Sequence, residues 1–140
     1  MALGSINTDV MTFDDMKANI KKKYADAKYL LDQGSYANCY YLCGYCVELA
    51  LKYKIAKHLK WRDFSLSSSE KTLKSHNIDL LLRFTGIVGL NSTADWSVVK
   101  DWNESIRYAN PSDIAQAEAQ GMLTATKNVV RRISACLLKP

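Results

Sequence analysis

Glu48 is the residue whose chemistry stands out first. It is the only formal charge between Gln33 and Leu51, in a run of tyrosine, cysteine, leucine and alanine that reads as a central helix. A carboxylate buried in such surroundings must be paired or protonated. Lys52, four positions on, supplies a surface-type pair. Arg107 is expected to arrive from a later segment and make a bidentate contact. The plain reading is a structural ion pair. The sharper one is a charged cleft of Glu48, Lys52, Arg107 and Tyr108 that binds a ligand phosphate or an RNA backbone.

The two histidines, His58 and His76, have no positioned nucleophile beside them. His76 reads as the cap or first residue of a helix, and His58, in a lysine-rich helix end, as solvated. Tyr36, Tyr40, Tyr41, Tyr45 and Tyr53 are able to stack on bases, but their helical spacing favours core or interface packing. A tyrosine carries apolar area and a hydroxyl together, which suits a wet dimer seam. Cys39, Cys43 and Cys46 would share one helical face. The usual zinc spacings are absent, so no metal site is expected and the thiols read as small buried hydrophobes. No Gly-rich phosphate loop or Walker-type lysine is present, and no cofactor is expected.

These residues need elements to hold them. Thr12 followed by Asp15 resembles a capping box opening a first helix. Its stripe is Phe13, Met16, Ile20, Tyr24, Ala27 and Leu30 or Leu31, and Gly34 stops it. Ser35 caps a second helix reaching about Lys57 or Leu59, apolar almost all round in its first half, hence central or covered by a second subunit. Arg62 to Ser75, with Ser65, Ser67, Ser68, Ser69 and Glu70, reads as a connection. A third helix starts at Ser75 or His76, with Ile78, Leu81, Leu82 and Thr85 facing inward. Ser92 or Thr93 caps a short helix holding Trp96, Val99, Lys100 and Asn103. The last helix starts near Ser112 or Asp113 and runs to Leu138, with a stripe of Ile114, Ala117, Gly121, Ala125, Val129, Ile133 and Cys136. No β-hairpin signal, repeat or domain boundary is visible. The expected fold is a single all-α domain over 1–140, an up-and-down bundle of four main helices with room for a short fifth, and a flexible stretch over 1–11.

Composition agrees with a globular chain. The 140 residues are 48% hydrophobic and 24% charged. Nineteen Lys plus Arg against fourteen Asp plus Glu leave a net charge of +5, compatible with an acidic partner without demanding one. No run reaches the roughly 20 apolar residues of a membrane span. Met1 to Asp15 has no basic n-region and no apolar h-region, so the cytoplasm is the expected compartment.

Three segments together resemble the HEPN domain family: Leu31 to Lys52, with its Gly-containing turn and Glu-Leu-Ala-Leu-Lys ending; His76-Asn-Ile-Asp-Leu-Leu-Leu; and Trp102-Asn-Glu-Ser-Ile-Arg107-Tyr108. The resemblance implies a bundle of four main helices, often dimeric. It implies RNA-cleaving toxins, or non-catalytic members that pair with nucleotidyltransferases or bind nucleotides or RNA. The nuclease members carry an Arg followed after four to six residues by a His. Here Arg107 stands at the arginine position, but Pro111, Ser112, Asp113 and Ile114 follow where the histidine would fall. An imidazole is the natural proton shuttle near neutral pH, so the resemblance favours a non-catalytic binding protein, homodimeric or paired with a nucleotidyltransferase or toxin. The alternatives are a divergent ribonuclease using Arg107 with Tyr108, His76 or Asp113, and a small immunity or antitoxin protein that blocks a toxin.

Overall fold

The computed structural model describes residues 10–65 and 71–138, and the chain they trace is predominantly α-helical. Thr12 caps α1 (Phe13–Asp32), its Oγ1 accepting the Asp15 N–H at 3.0 Å, with Asp14 and Asp15 favouring the positive end of the helix. Gly34, at φ 79°, closes it. The Gly34 N–H donates to the Leu31 carbonyl and the Ser35 N–H to the Leu30 carbonyl, the paired bonds of a Schellman closure. The chain turns directly into α2 (Tyr36–His58). Ser35 occupies the cap position without a side-chain cap bond; its Oγ instead accepts from the Asn38 side chain. The far end of α2 closes in the same way. Lys60 takes the left-handed conformation at φ 60°, with bonds from Lys60 to Lys57 and from Trp61 to Ala56.

A short antiparallel ladder, β1 (Val10–Met11) with β2 (Phe64–Ser65), ties the chain entering α1 to the chain leaving α2. Two-residue strands are too short to show a period in sequence, which is why the all-α expectation missed them. Val10 and Met11, at the end of the stretch expected to be flexible over 1–11, lie in this ladder. Residues 1–9, the 66–70 part of the expected connection, and Lys139 and Pro140 lie outside the described residues.

α3 (Ile78–Leu82) is capped by Asn77, whose Oδ1 accepts the Leu80 N–H at 3.1 Å, not by Ser75 or His76. α4 (Ala94–Val99) is capped by Thr93, as one of the two expected residues. Two 3₁₀ turns follow, Glu104–Tyr108 and Pro111–Asp113, then α5 (Gln116–Ile133). Ser112 and Asp113 do not start α5. Asn110 Oδ1 accepts the Ser112 N–H at 3.0 Å and folds these residues into their own turn. The Glu118 carboxylate then reaches back to the Ala115 N–H and opens α5 there. Nor does α5 reach Leu138, because Ser134 is extended at φ −158°.

α2 is the hub. α1 and α5 pack along it and α3 covers a further side. Cys39, Cys43 and Cys46 are buried in this core. Burial pushes the Cys46 thiol up to about 12, and its Sγ donates to the Ile20 carbonyl. α5 presents Met122, Leu123, Thr126, Val129, Val130 and Ile133 inward, while Ala117 and Gly121 of the expected stripe face solvent. The bulky side of the helix, with more apolar area to bury, takes the core.

Gly44 lies directly beneath Trp102. A Cβ there would stand 2.1 Å from the indole carbons, so any side chain displaces the ring. Gly44→Ala is expected to lower unfolding stability by about 1–3 kcal/mol, measured by urea denaturation. Cys136 is the exposed thiol among the four. Hydrogen bonding to Ser134 is the main influence holding it below its ordinary value, with the Tyr53 hydroxyl and Lys17 adding to the effect. With the thiolate favoured, native protein is expected to lose one thiol rapidly to a disulfide reagent. Its alkylation midpoint should lie at lower pH than in the urea-unfolded chain, with the other three cysteines protected until unfolding.

Candidate functional site

The carboxylate of Glu48 is 3% exposed and is held from two sides. One turn on, the Lys52 ammonium stands 3.3 Å from Oε2, with side-chain exposures of 5% and 3%. The pair is therefore buried, not the surface-type pair its spacing suggested. On the other side His76 Nδ1 stands 2.8 Å from Oε1, bringing together residues 28 apart in sequence. His76 Nε2 faces Glu104 Oε2 at 3.1 Å. A neutral imidazole can donate to one of these carboxylates; the imidazolium donates to both. Lys52, Glu48, His76 and Glu104 form a chain of polar contacts running from the core to the surface. Lys52 also lies 5.8 Å from the Phe64 ring centroid.

An aromatic wall frames this chain. Tyr45 meets the His76 ring edge-on at 6.0 Å and the Trp102 ring at 5.3 Å. Tyr41 meets Tyr45 at 5.1 Å. The Trp102 indole N–H donates to the Tyr41 carbonyl at 3.1 Å, which fixes the segment leading into the Glu104–Tyr108 turn. Burial, then hydrogen bonding with Tyr41 and the nearby charges of Glu48 and Glu104, holds the Tyr45 hydroxyl protonated well above its ordinary range. Beside His76 opens a cleft of about 350 Å³, lined by residues that include Asn77, Lys100, Trp102 and Glu104.

Arg107 does not reach Glu48. It is exposed, with its guanidinium 4.8 Å over the Tyr108 ring centroid. Hydrogen bonding with Tyr41 and Tyr108 keeps it charged. It makes no ion pair among the described residues. The cleft expected from Glu48, Lys52, Arg107 and Tyr108 is thus divided into a buried ion chain and an exposed cation–aromatic pair, joined by Tyr41 and Tyr45. Asp113 is exposed on the Pro111–Asp113 turn and joins neither. His58 is exposed but packs closely on Gly86. His76 was missed as the second partner of the acid, as were Glu104, which meets the far side of its ring, and Trp102, which packs on Tyr45. The signal available was the demand that Glu48 be neutralised, which named no particular distant residue.

Among the described residues no group of three or more His, Cys, Asp or Glu side chains is placed to hold a metal ion. No described helix is long and apolar enough to cross a membrane. The chain matches no protein-family model, no curated protein and no solved structure.

Removing Glu48 alone leaves the Lys52 ammonium buried without a counter-charge. Glu48→Ala is expected to cost about 3–5 kcal/mol in urea unfolding, whereas Glu48→Leu combined with Lys52→Met restores stability to near the parent value. Equal losses in the single and the double variant would show that the pairing is not what matters.

Proposed function

We propose that this is a non-catalytic, HEPN-like helical protein that binds RNA or a nucleotide through Arg107 and Tyr108. The observation that carries this reading is the pair itself. A solvent-facing guanidinium without a carboxylate partner among the described residues lies over a ring that is 76% exposed. A cation for phosphate beside an aromatic face for a base is the basic unit of single-strand recognition. A cleft of about 360 Å³, lined in part by Gln33, Tyr36, Asn38 and Ile106, opens beside Arg107. The net charge of +5 favours a polyanion. A homodimer, or a complex with a nucleotidyltransferase or toxin in a defence setting, accompanies this reading through the family resemblance.

Fluorescence anisotropy with a labelled single-stranded RNA tests it. Tyr108→Ala is expected to weaken binding roughly tenfold, from lost stacking, and Arg107→Ala to weaken it with a reduced dependence on salt. A parent protein that binds no RNA at low salt would remove the proposal.

One observation favours a second reading, a divergent ribonuclease. The buried Glu48 carboxylate orients the His76 imidazole as a general acid–base residue would be oriented, and Tyr45 and Tyr41 connect that ring to Arg107. Against it, Nε2 is already engaged by Glu104. If the protein cleaves RNA, His76→Ala should abolish cleavage while leaving binding intact; RNA left whole by the parent protein retires this reading.

A further inference from the structure

The hub position of α2 leaves α1 and α5 in contact with each other over only a limited stretch. Between them lies a cleft of about 370 Å³ with Leu31 and Leu123 among its lining residues. α1 contributes Lys28 to it, and α5 contributes Lys127 and Arg131, which are one helical turn apart. Asp32 is the one carboxylate in the lining. None of the three cations makes an ion pair among the described residues.

Other cations of this protein are accommodated differently. Lys22 pairs with Asp26 at 2.8 Å. Lys52 is neutralised by Glu48, and Lys57 sits 4.2 Å over the Phe13 ring centroid. Arg131 gains from its place in the last turn of α5. Lys28 has no such advantage, since the last turn of α1 carries no basic residue. Like charges at i and i+4, as in Lys127 and Arg131, repel each other on a helix. With Lys28 they bring three cations to one concave surface whose lining holds a single carboxylate, Asp32.

The linings of the two clefts adjoin along the chain: Leu31 and Asp32 line this one, and the next residues, Gln33 and Gly34, line the cleft that contains Arg107. We infer that the α1–α5 cleft is a second contact for the strand held at Arg107, taking its phosphate backbone on Lys28, Lys127 and Arg131. This inference rests on the nucleic-acid reading above and adds to it that the ligand is an extended strand, not a mononucleotide. A concave groove whose lining adjoins that of the Arg107 cleft along the chain suits a strand better than a flat lipid surface.

The test is a salt titration of binding to labelled single-stranded RNA of 4 and 16 nucleotides. Each phosphate contact contributes a slope of about −0.7 in log affinity against log salt for single strands. The triple variant Lys28→Gln, Lys127→Gln, Arg131→Gln is expected to flatten the slope by about 2, and Arg107→Gln alone by about 0.7. The triple variant should also lose the preference for 16 over 4 nucleotides. Lys28→Arg with Lys127→Arg should keep both properties, and circular dichroism should report an unchanged helix content throughout. Single-stranded DNA giving the same slope supports a contact to the backbone. A triple variant with the parental slope, while Arg107→Gln still weakens binding, overturns the second contact and leaves the Arg107 site standing. No binding of either oligomer by the parent protein overturns both. Binding to vesicles containing anionic lipid with no binding to oligonucleotide assigns the cleft to a membrane and overturns this inference.

Discussion

An acid inside an apolar helix is the constraint around which this protein is arranged. Glu48 sits on the most buried element of the fold, where an isolated carboxylate would be prohibitively costly. Lys52 satisfies it within the helix and His76 from outside. The second partner has structural reach. To place its ring there, the chain after β2 must return across α2, and Glu104 must then meet the exposed side of the same imidazole. Two segments with little regular structure are thereby pinned to the central helix by polar contacts, not by apolar area alone.

Packing completes what charge begins. The missing side chain at Gly44 leaves a flat place on α2 into which Trp102 settles. Tyr41 and Tyr45 close around the indole. The Glu104–Tyr108 turn starts two residues later, so its two ends inherit different settings: Glu104 faces the ion chain and Arg107 the solvent. One short turn thus carries both a stabilising acid and an exposed cation stacked on its neighbouring ring. This is the structural reason that a single charged cleft is replaced by two adjoining features.

The parts legible in the sequence are those decided locally. Thr12, Gly34 and Thr93 sit at helix boundaries because caps act over three or four residues. Glu48 announces that it needs a partner, and Lys52 is near enough to be found by counting. His76 is not, because a contact across 28 residues leaves no periodic trace. Arg107 was the natural choice by charge, yet an imidazole fits the partly buried space beside Tyr45 while the arginine stays in water. The stripe of α5 was read in part: Ala125, Val129 and Ile133 are buried as expected, whereas Ala117 and Gly121 face solvent and Met122, Leu123 and Val130 pack in their place. The start of α5 was misplaced because Asn110 and Pro111 build a turn of their own out of residues that look like caps.

The order of the elements has a consequence for how the chain is made. α2 ends at His58, and α5, which covers much of it, begins at Gln116. At roughly 5–20 residues per second on the ribosome, several seconds separate the emergence of the central helix from that of its cover. During that interval α1 is the one long helix able to shield it, through a hairpin closed at Gly34 by local bonds that form early. The nascent chain therefore spends its synthesis with a tyrosine- and cysteine-rich surface half dressed, a state in which chaperone engagement or pairing with another nascent copy competes with self-completion.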